Sequence, residues 1–255
     1  MNDSVVKSAA RVLDLLELFS STTTAMGVSD ISKRLGFPKS STYMLLATLE
    51  GRGFIVSDEA RKFRLHPAFG AEARAWIGGI RGKLVHAASA PMKSLVDIIN
   101  ETCFLTVMRS DWMAEYVAKV SSLQELRLDA AVGAIRELNA GSGGMVLLAH
   151  LPQEEFERFL KEHPLKASTA KSIVDPARLR QELATIRTRG YALSEGTNYP
   201  QASGVSAPVC GPYGNVVAAV SIGAPTSRFK LIRPRVIDEV LRCAQAVSRN
   251  LASVH

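Results

Sequence analysis

The chain has 255 residues, of which 47% are hydrophobic and 22% charged, with a formal net charge of +7. That length exceeds one typical domain and fits two joined by a linker, and the balance of apolar to charged residues excludes a disordered chain. No apolar run approaches the ~18 residues of a membrane span, and the start, with Asp3, Asp14 and Glu17, lacks the pattern of a signal peptide. A cytoplasmic protein with no membrane partner is therefore expected. Cys103, Cys210 and Cys243 are too few and too far apart for a disulfide framework or a close-spaced zinc site. Reduced thiols, no metal and no cofactor are the expectation.

Ala9, Val12, Leu13, Leu16 and Phe19 repeat at helical spacing and predict an amphipathic first helix, which Ser21-Thr-Thr-Thr-Ala-Met-Gly27 breaks. Ser29 is expected to cap a second helix, Asp30 to Leu35, closed by Gly36. Phe37-Pro38 then opens a third, with Pro38 in its first turn. Two short helices joined by a tight turn containing Gly have helix-turn-helix spacing. On the third helix, Thr42, Leu45, Leu46 and Leu49 form a stripe for the core, and Ser40, Tyr43, Met44 and Ala47 a second stripe for solvent. Lys39 and Ser40 stand at its positive end, where free N–H groups and the helix dipole favour a phosphate. An ordinary three-helix bundle would carry the same pattern.

The residues after the third helix separate the two. Gly53 to Val56 reads as a strand, Ser57 to Ala60 as a turn, and Arg61 to Leu65 as a returning strand alternating basic and apolar residues. Such a hairpin is a wing, and Arg61, Lys62 and Arg64 on it suit backbone phosphates beside the helix. Between residues 33 and 64, seven basic residues face three acidic ones, a balance that suits DNA. Residues 1–65 are thus expected to be a winged helix-turn-helix domain that binds double-stranded DNA.

Val28 to Ile55 resembles the DNA-binding domain of the IclR family of transcription regulators. Leu138 to Leu151, Val174 to Leu179 with Glu182 to Ala192, Ser206 to Val209 and Gly214 to Ser221 resemble segments of the same family's effector domain, in the same order. The resemblance implies an α+β chain: the winged domain, a linker helix over 66–84, and a GAF-like effector-binding domain over 85–255 with an antiparallel sheet and flanking helices. It also implies a homodimer or homotetramer on a palindromic operator, controlled by a small-molecule effector that is an organic or aromatic acid. Two departures stand out. Met44 occupies a position where many members carry Arg, so base reading would rest on Ser40, Ser41 and Tyr43, with or without Met44. Ser194-Glu-Gly-Thr-Asn198 replaces the acidic pair expected after Gly190-Tyr-Ala192.

The linker segment is Ala-rich, weakened near its end by Gly78, Gly79 and Gly82; Trp76 and Ile77 either join partner subunits or pack within their own chain. A helix is expected from Val85 to Asn100, and strands at Phe104–Met108, Tyr116–Val120, Leu126–Val132, Gly204–Val209 and Val216–Ile222. Helices are expected at Ser142–His150, Glu154–Lys161, Pro176–Arg189 and Arg233–Leu251. Ser142 and Gly143 open a helix whose free N–H groups suit a carboxylate. By resemblance, Ser194, Gly204, Ser221 and Gly223 are the other effector contacts. Their glycines leave room for more than a very small acid, or serve turns; Leu126 and Leu128 are apolar walls or plain core.

Ala140-Gly-Ser-Gly-Gly144 also looks like a relaxed nucleophile elbow. A hydrolase needs a His after its acid, and only His255 follows Asp175, so no catalytic residues and no enzyme are expected. A sensor without DNA binding is the remaining alternative, with the basic hairpin a solvated edge.

Overall fold

The computed structural model describes residues 6–20, 22, 24–69 and 79–253. They form two compact units, residues 1–86 and 87–255. Trp76, Ile77 and His255 lie outside the described residues.

In the first unit, α1 (Lys7–Ser20), α2 (Val28–Leu35) and α3 (Lys39–Gly51) precede a hairpin of β1 (Ile55–Ser57) and β2 (Phe63–Leu65). Leu15, Leu18, Phe19, Ile31, Leu46, Leu49, Ile55, Phe63 and Leu65 make its core. The buried face of α1 is rotated from the expected one: Leu15 and Leu18 are inside, and Leu13 is 60% exposed. The run Leu13 to Phe19 is apolar on several sides, so spacing alone admits either stripe.

Ser29 does not cap α2. The helix starts at Val28 with Gly27 as N-cap, whose carbonyl accepts the N–H groups of Asp30 and Ile31. Gly36 closes it at φ +67°, a left-handed conformation that glycine adopts without strain. The buried Ser32 hydroxyl donates to the Phe37 carbonyl at 2.6 Å and stitches the turn between α2 and α3. Pro38 is the N-cap of α3 and not part of its first turn. Residues read as a plain break also contribute, because Met26 and Phe63 exchange backbone hydrogen bonds at 2.8 and 2.9 Å beside the hairpin.

The stretch His66–Phe69 is a turn rather than the start of a linker helix. The His66 N–H is held by the Phe54 carbonyl at 3.0 Å, and Pro67 disfavours a helical His66. The helix expected from Val85 begins earlier, as α4 (Gly79–Ile99).

In the second unit, β3 (Thr102–Met108), β4 (Met113–Val120), β5 (Ile135–Glu137), β6 (Ala192–Glu195), β7 (Ala202–Cys210) and β8 (Val216–Pro225) form an antiparallel sheet in the order β5-β4-β3-β8-β7-β6. The strand expected at Leu126–Val132 is absent. That stretch is irregular, with Leu126 70% and Val132 51% exposed, and the pairing on β4 is made instead by the short β5. Its apolar residues alternate, but Arg228 donates to the Leu126 carbonyl and Gly133 turns the chain at φ +86°.

Three helices lie between β5 and β6: α5 (Ser142–Ala149), α6 (Gln153–Glu162) and α7 (Pro176–Arg189). Asp175 caps α7, its carboxylate accepting from the Arg178 N–H at 2.8 Å. α5 is buried along its whole length, packed on β7 and β8 and against α7. The last helix, α8 (Thr226–Ser253), also packs on β7 and β8. It begins at Thr226, before the expected Arg233, and carries Pro234 inside it. On β7 the face toward α5 holds Gly204 and Ser206, and by strand alternation Val205, Ala207 and Val209, all fully buried, face α8. β7 and β8 are therefore covered on both faces.

Candidate functional site

Two groups of expected residues have distinct places in the fold. In the first unit, Lys39, Ser40, Tyr43 and Met44 lie on the exposed face of α3, opposite the buried Thr42, Leu46 and Leu49. Tyr43 is 50% and Met44 65% exposed, so this face projects a phenol and a thioether. Ser41 is half-buried and accepts from Arg11 Nη1 at 3.1 Å, and the Arg11 guanidinium also lies over the Phe37 ring, 5.2 Å from its centroid. Sequence reasoning missed Arg11 because it sits on the first helix, remote along the chain. On the wing, Lys62 and Arg64 are exposed, with Phe63 and Leu65 buried between and beyond them. Arg61 folds back: its Nη1 is 3.8 Å from Glu50 Oε2, and its guanidinium lies 5.6 Å from the Phe63 ring centroid.

In the second unit, all six expected effector residues line one cavity. Strand period and register bring them there. Side chains alternate between faces, so residues paired across neighbouring strands share a face. Ser194 pairs with Gly204, Gly204 with Gly223, Ser206 with Ser221, Ser221 with Phe104, and Thr106 with Tyr116. One face of five adjacent strands thus carries Ser194, Gly204, Ser206, Ser221, Gly223, Phe104, Thr106 and Tyr116. The start of α5, with Ser142, Gly143 and Gly144, lies over it. The empty space, including its open mouth, is about 580 Å³.

Two of the lining serines, Ser142 and Ser221, are joined behind the cavity wall by a buried hydroxyl. Ser206 Oγ, fully buried, lies 2.7 Å from Ser142 Oγ and 2.6 Å from Ser221 Oγ. Its one proton goes to one neighbour and it accepts from the other, so a donor remains available at one end. Thr106, 1% exposed, has a buried hydroxyl with no partner among the described residues. The first N–H groups of α5 have no partner within the helix and add a positive partial charge. Gly143 keeps this space open, because a Cβ would stand 2.9 Å from Thr106 Oγ1 and 3.2 Å from Ser221 Oγ.

Ser194 is 7% exposed, and its hydroxyl is shared with Thr197 Oγ1 at 2.6 Å, which itself donates to the Ala140 carbonyl just before α5. Leu128 lines the cavity beside Gly223, whereas Leu126 does not reach it. Aromatic walls come from Phe104 and Tyr116, stacked with centroids 4.7 Å apart, and from Tyr199. Burial holds the Tyr116 hydroxyl above the usual phenol range, partly offset by the Arg136 charge. Arg136, Thr106, Ser206, Tyr116 and Tyr199 escape sequence reasoning. Only Ser206 left a signal, as the next same-face residue after Gly204.

Comparison with known proteins agrees with both halves. Residues 8–59 match the IclR helix-turn-helix domain, and residues 81–249 match the family described as Bacterial transcriptional regulator IclR C-terminal. The HTH-type transcriptional regulator KipR of Bacillus subtilis (strain 168) is 31% identical over 253 residues, covering 98% of this chain and 97% of that one. The Transcriptional repressor IclR of Escherichia coli (strain K12) is 28% identical over 230 residues, covering 88% of this chain and 82% of that one. Among solved structures, an IclR homolog from Microbacterium hydrocarbonoxydans complexed with 4-hydroxybenzoate superimposes with a TM-score of 0.69 at 25% identity, covering 96% of this chain and 98% of that one. The family consists of transcriptional regulators and not of enzymes, which removes the hydrolase reading of Ala140 to Gly144. The chain is a member of the IclR family of DNA-binding transcriptional regulators, with an N-terminal helix-turn-helix domain and a C-terminal effector domain.

Proposed function

We propose that this regulator is released from or recruited to a palindromic operator by an organic acid, aromatic acids included, bound in the cavity of the second unit. The observation that carries this reading is the convergence of a helix start, a serine chain and the unpartnered Thr106 hydroxyl on one partly apolar space. Helix N–H groups and hydroxyls favour a carboxylate, and the rings of Phe104, Tyr116 and Tyr199 favour a flat or extended body. The 4-hydroxybenzoate in the Microbacterium relative supports an aromatic acid. Ser142, Gly143 and Ser221 seat the carboxylate, while Ser194, Gly204 and Gly223 shape the space around it.

On the DNA side, Lys39 and Ser40 take a phosphate at the start of α3, and Tyr43 and Met44 face the bases. Lys62 and Arg64 lie along the backbone, with Arg61 joining them when it leaves Glu50. Two or four cytoplasmic copies present their α3 helices in pairs, and the segment around residues 66–84 links each winged domain to a GAF-like effector domain. Control requires that the acid bind two arrangements of the assembly with different affinity, and a few kcal/mol of difference is enough.

Fluorescence anisotropy with DNA from upstream of the chain's own gene tests the reading, with and without 4-hydroxybenzoate and a panel of organic acids. Operator affinity should fall steeply with salt, and one acid should change it at least about fivefold, the lower end of common allosteric coupling. Salt-independent binding would sink the DNA assignment, and indifference to every acid would sink the effector assignment.

A further inference from the structure

One cation in the cavity is not needed to hold a single carboxylate at α5. Arg136 stands on β5, at the edge of the sheet remote from β7 and β6. β5 lies three strands from β8, about 14 Å away at ordinary strand spacing, so Arg136 and the Ser221 end of the serine chain come from opposite sides of the cavity that both line. Its guanidinium is held between two tyrosine rings, 5.8 Å from the Tyr116 centroid and 5.7 Å from that of Tyr199. Nη1 donates to the Ile135 carbonyl and Nη2 to the Tyr199 hydroxyl, both at 2.7 Å. Nε is buried and meets no partner among the described residues.

The adjacent carboxylates are engaged elsewhere. Glu137 pairs with His163 at 2.6 Å and Lys166 at 3.2 Å, and Glu115 with Arg109 at 3.5 Å. A guanidinium has five N–H donors in a fixed fork matched to a carboxylate, and a partly desolvated charge without a counter-ion is costly. The rings orient the group and offset part of that cost, but they accept no hydrogen bond along the Nε–H direction. Thr106, the second cavity group with an unpartnered polar atom among the described residues, stands on β3 between the two ends.

We infer that the effector is a dicarboxylate, one carboxylate at the start of α5 and the other on Arg136. This rests on the effector reading above and narrows it to acids charged at both ends. Tyr199 makes the second seat responsive, because its hydroxyl must share Arg136 Nη2 with the incoming carboxylate or give it up.

The test is calorimetric titration of the full chain with succinate, glutarate, adipate and terephthalate, each beside its own monoamide, which keeps the shape and removes one charge. The tightest diacid should bind at least about tenfold better than its monoamide, a difference within the range of a charge-assisted hydrogen bond. In Arg136→Gln that ratio should collapse to about one, mainly through weaker diacid binding; Arg136→Lys, which keeps the charge without the fork, should retain part of it. A purely structural Arg136 would weaken diacid and monoamide together and leave the ratio unmoved, which overturns the inference. Equal affinity for diacid and monoamide in the unaltered chain also overturns it while leaving the effector reading intact. Failure of these acids, their monoamides and 4-hydroxybenzoate alike to bind refutes both.

Discussion

Gly143 and Gly144 are neighbours in the first turn of α5, yet the structure predicts opposite outcomes for replacing each with alanine. At Gly144 a Cβ would stand 2.3 Å from the Leu138 carbonyl oxygen, 2.7 Å from its Cα and 2.8 Å from its carbonyl carbon. These are backbone atoms, far inside the ~3.5–4.0 Å of an ordinary contact, so the segment before α5 must move. Overpacking of this kind costs about 1–3 kcal/mol, and the closeness of the approach places Gly144→Ala at the upper end. At roughly 2–4 °C per kcal/mol for a domain of this size, the melting point should drop by about 5–10 °C.

At Gly143 the nearest atoms are the Thr106 and Ser221 hydroxyls, at 2.9 and 3.2 Å. Rotation of the two hydroxyls relieves the shortest contacts and leaves Thr106 Cβ at 3.3 Å, a few tenths of an ångström inside ordinary contact, while alanine recovers up to ~1 kcal/mol of helix propensity. Stability should therefore change by less than about 1 kcal/mol. The added methyl, however, occupies the space between the α5 start, Thr106 and Ser221. An acid at ~100 times its dissociation constant adds ~2.7 kcal/mol of stability, and a tenfold loss of affinity halves that gain. Thermal melts with and without the tightest-binding acid distinguish the two variants. If Gly143→Ala melts as low as Gly144→Ala, or is stabilised by the acid as well as the parent chain, the assignment of this helix start as the carboxylate seat is wrong.

On the DNA side, Arg64→Ala should weaken binding about equally for all sequences and reduce the log–log salt slope by about 1, whereas Met44→Arg should change which operator bases are preferred; anisotropy at several salt concentrations and a randomised-site selection read the two effects. Glu101→Gln removes the charge from a carboxylate that is 2% exposed and holds Arg228 at 2.6 and 3.0 Å. Because Arg228 retains 30% exposure, the cost should be about 1–3 kcal/mol rather than the 3–5 of a fully buried pair, visible as a lower denaturation midpoint. Burial raises the Cys103 thiol well above its ordinary value and pushes Cys243 up to about 12. Iodoacetamide at pH 8 should leave both unmodified until the chain unfolds. Their neutral thiols contribute stability below the free-thiol range near 8.5, and as pH rises above it the unfolded chain ionises first, so stability should fall.

Local chemistry in the first unit was legible because it acts within a few residues. Gly36 after an apolar period, and a basic–apolar alternation from Arg61 to Leu65, specify a helix stop and a half-buried strand wherever they occur. Local signals failed where they were degenerate. Leu126 and Leu128 alternate like a strand, but the Arg228 contact and the Gly133 turn take the backbone elsewhere.

In the second unit, Ser142 and Gly143 could be singled out as a helix start and Ser194, Gly204, Ser221 and Gly223 by resemblance to the family, but their positions on separate elements said nothing of what else they would meet. Register decided that. Pairing of Ser206 with Ser221 and of Thr106 with Tyr116 places further hydroxyls and a ring on the same face, and no spacing along the chain encodes a pairing between strands. Arg136 is the extreme case. In the sequence it is one of 31 basic residues, and only the closure of β5 on β4, with Tyr116 and Tyr199 beside it, turns it into a half-buried cation facing a cavity. That the chain reads DNA and carries a sensing domain was written in its residues, through short-range patterns and family segments. The charge inferred for what it senses came only with the folded arrangement, because a counter-ion is defined by what surrounds it in space.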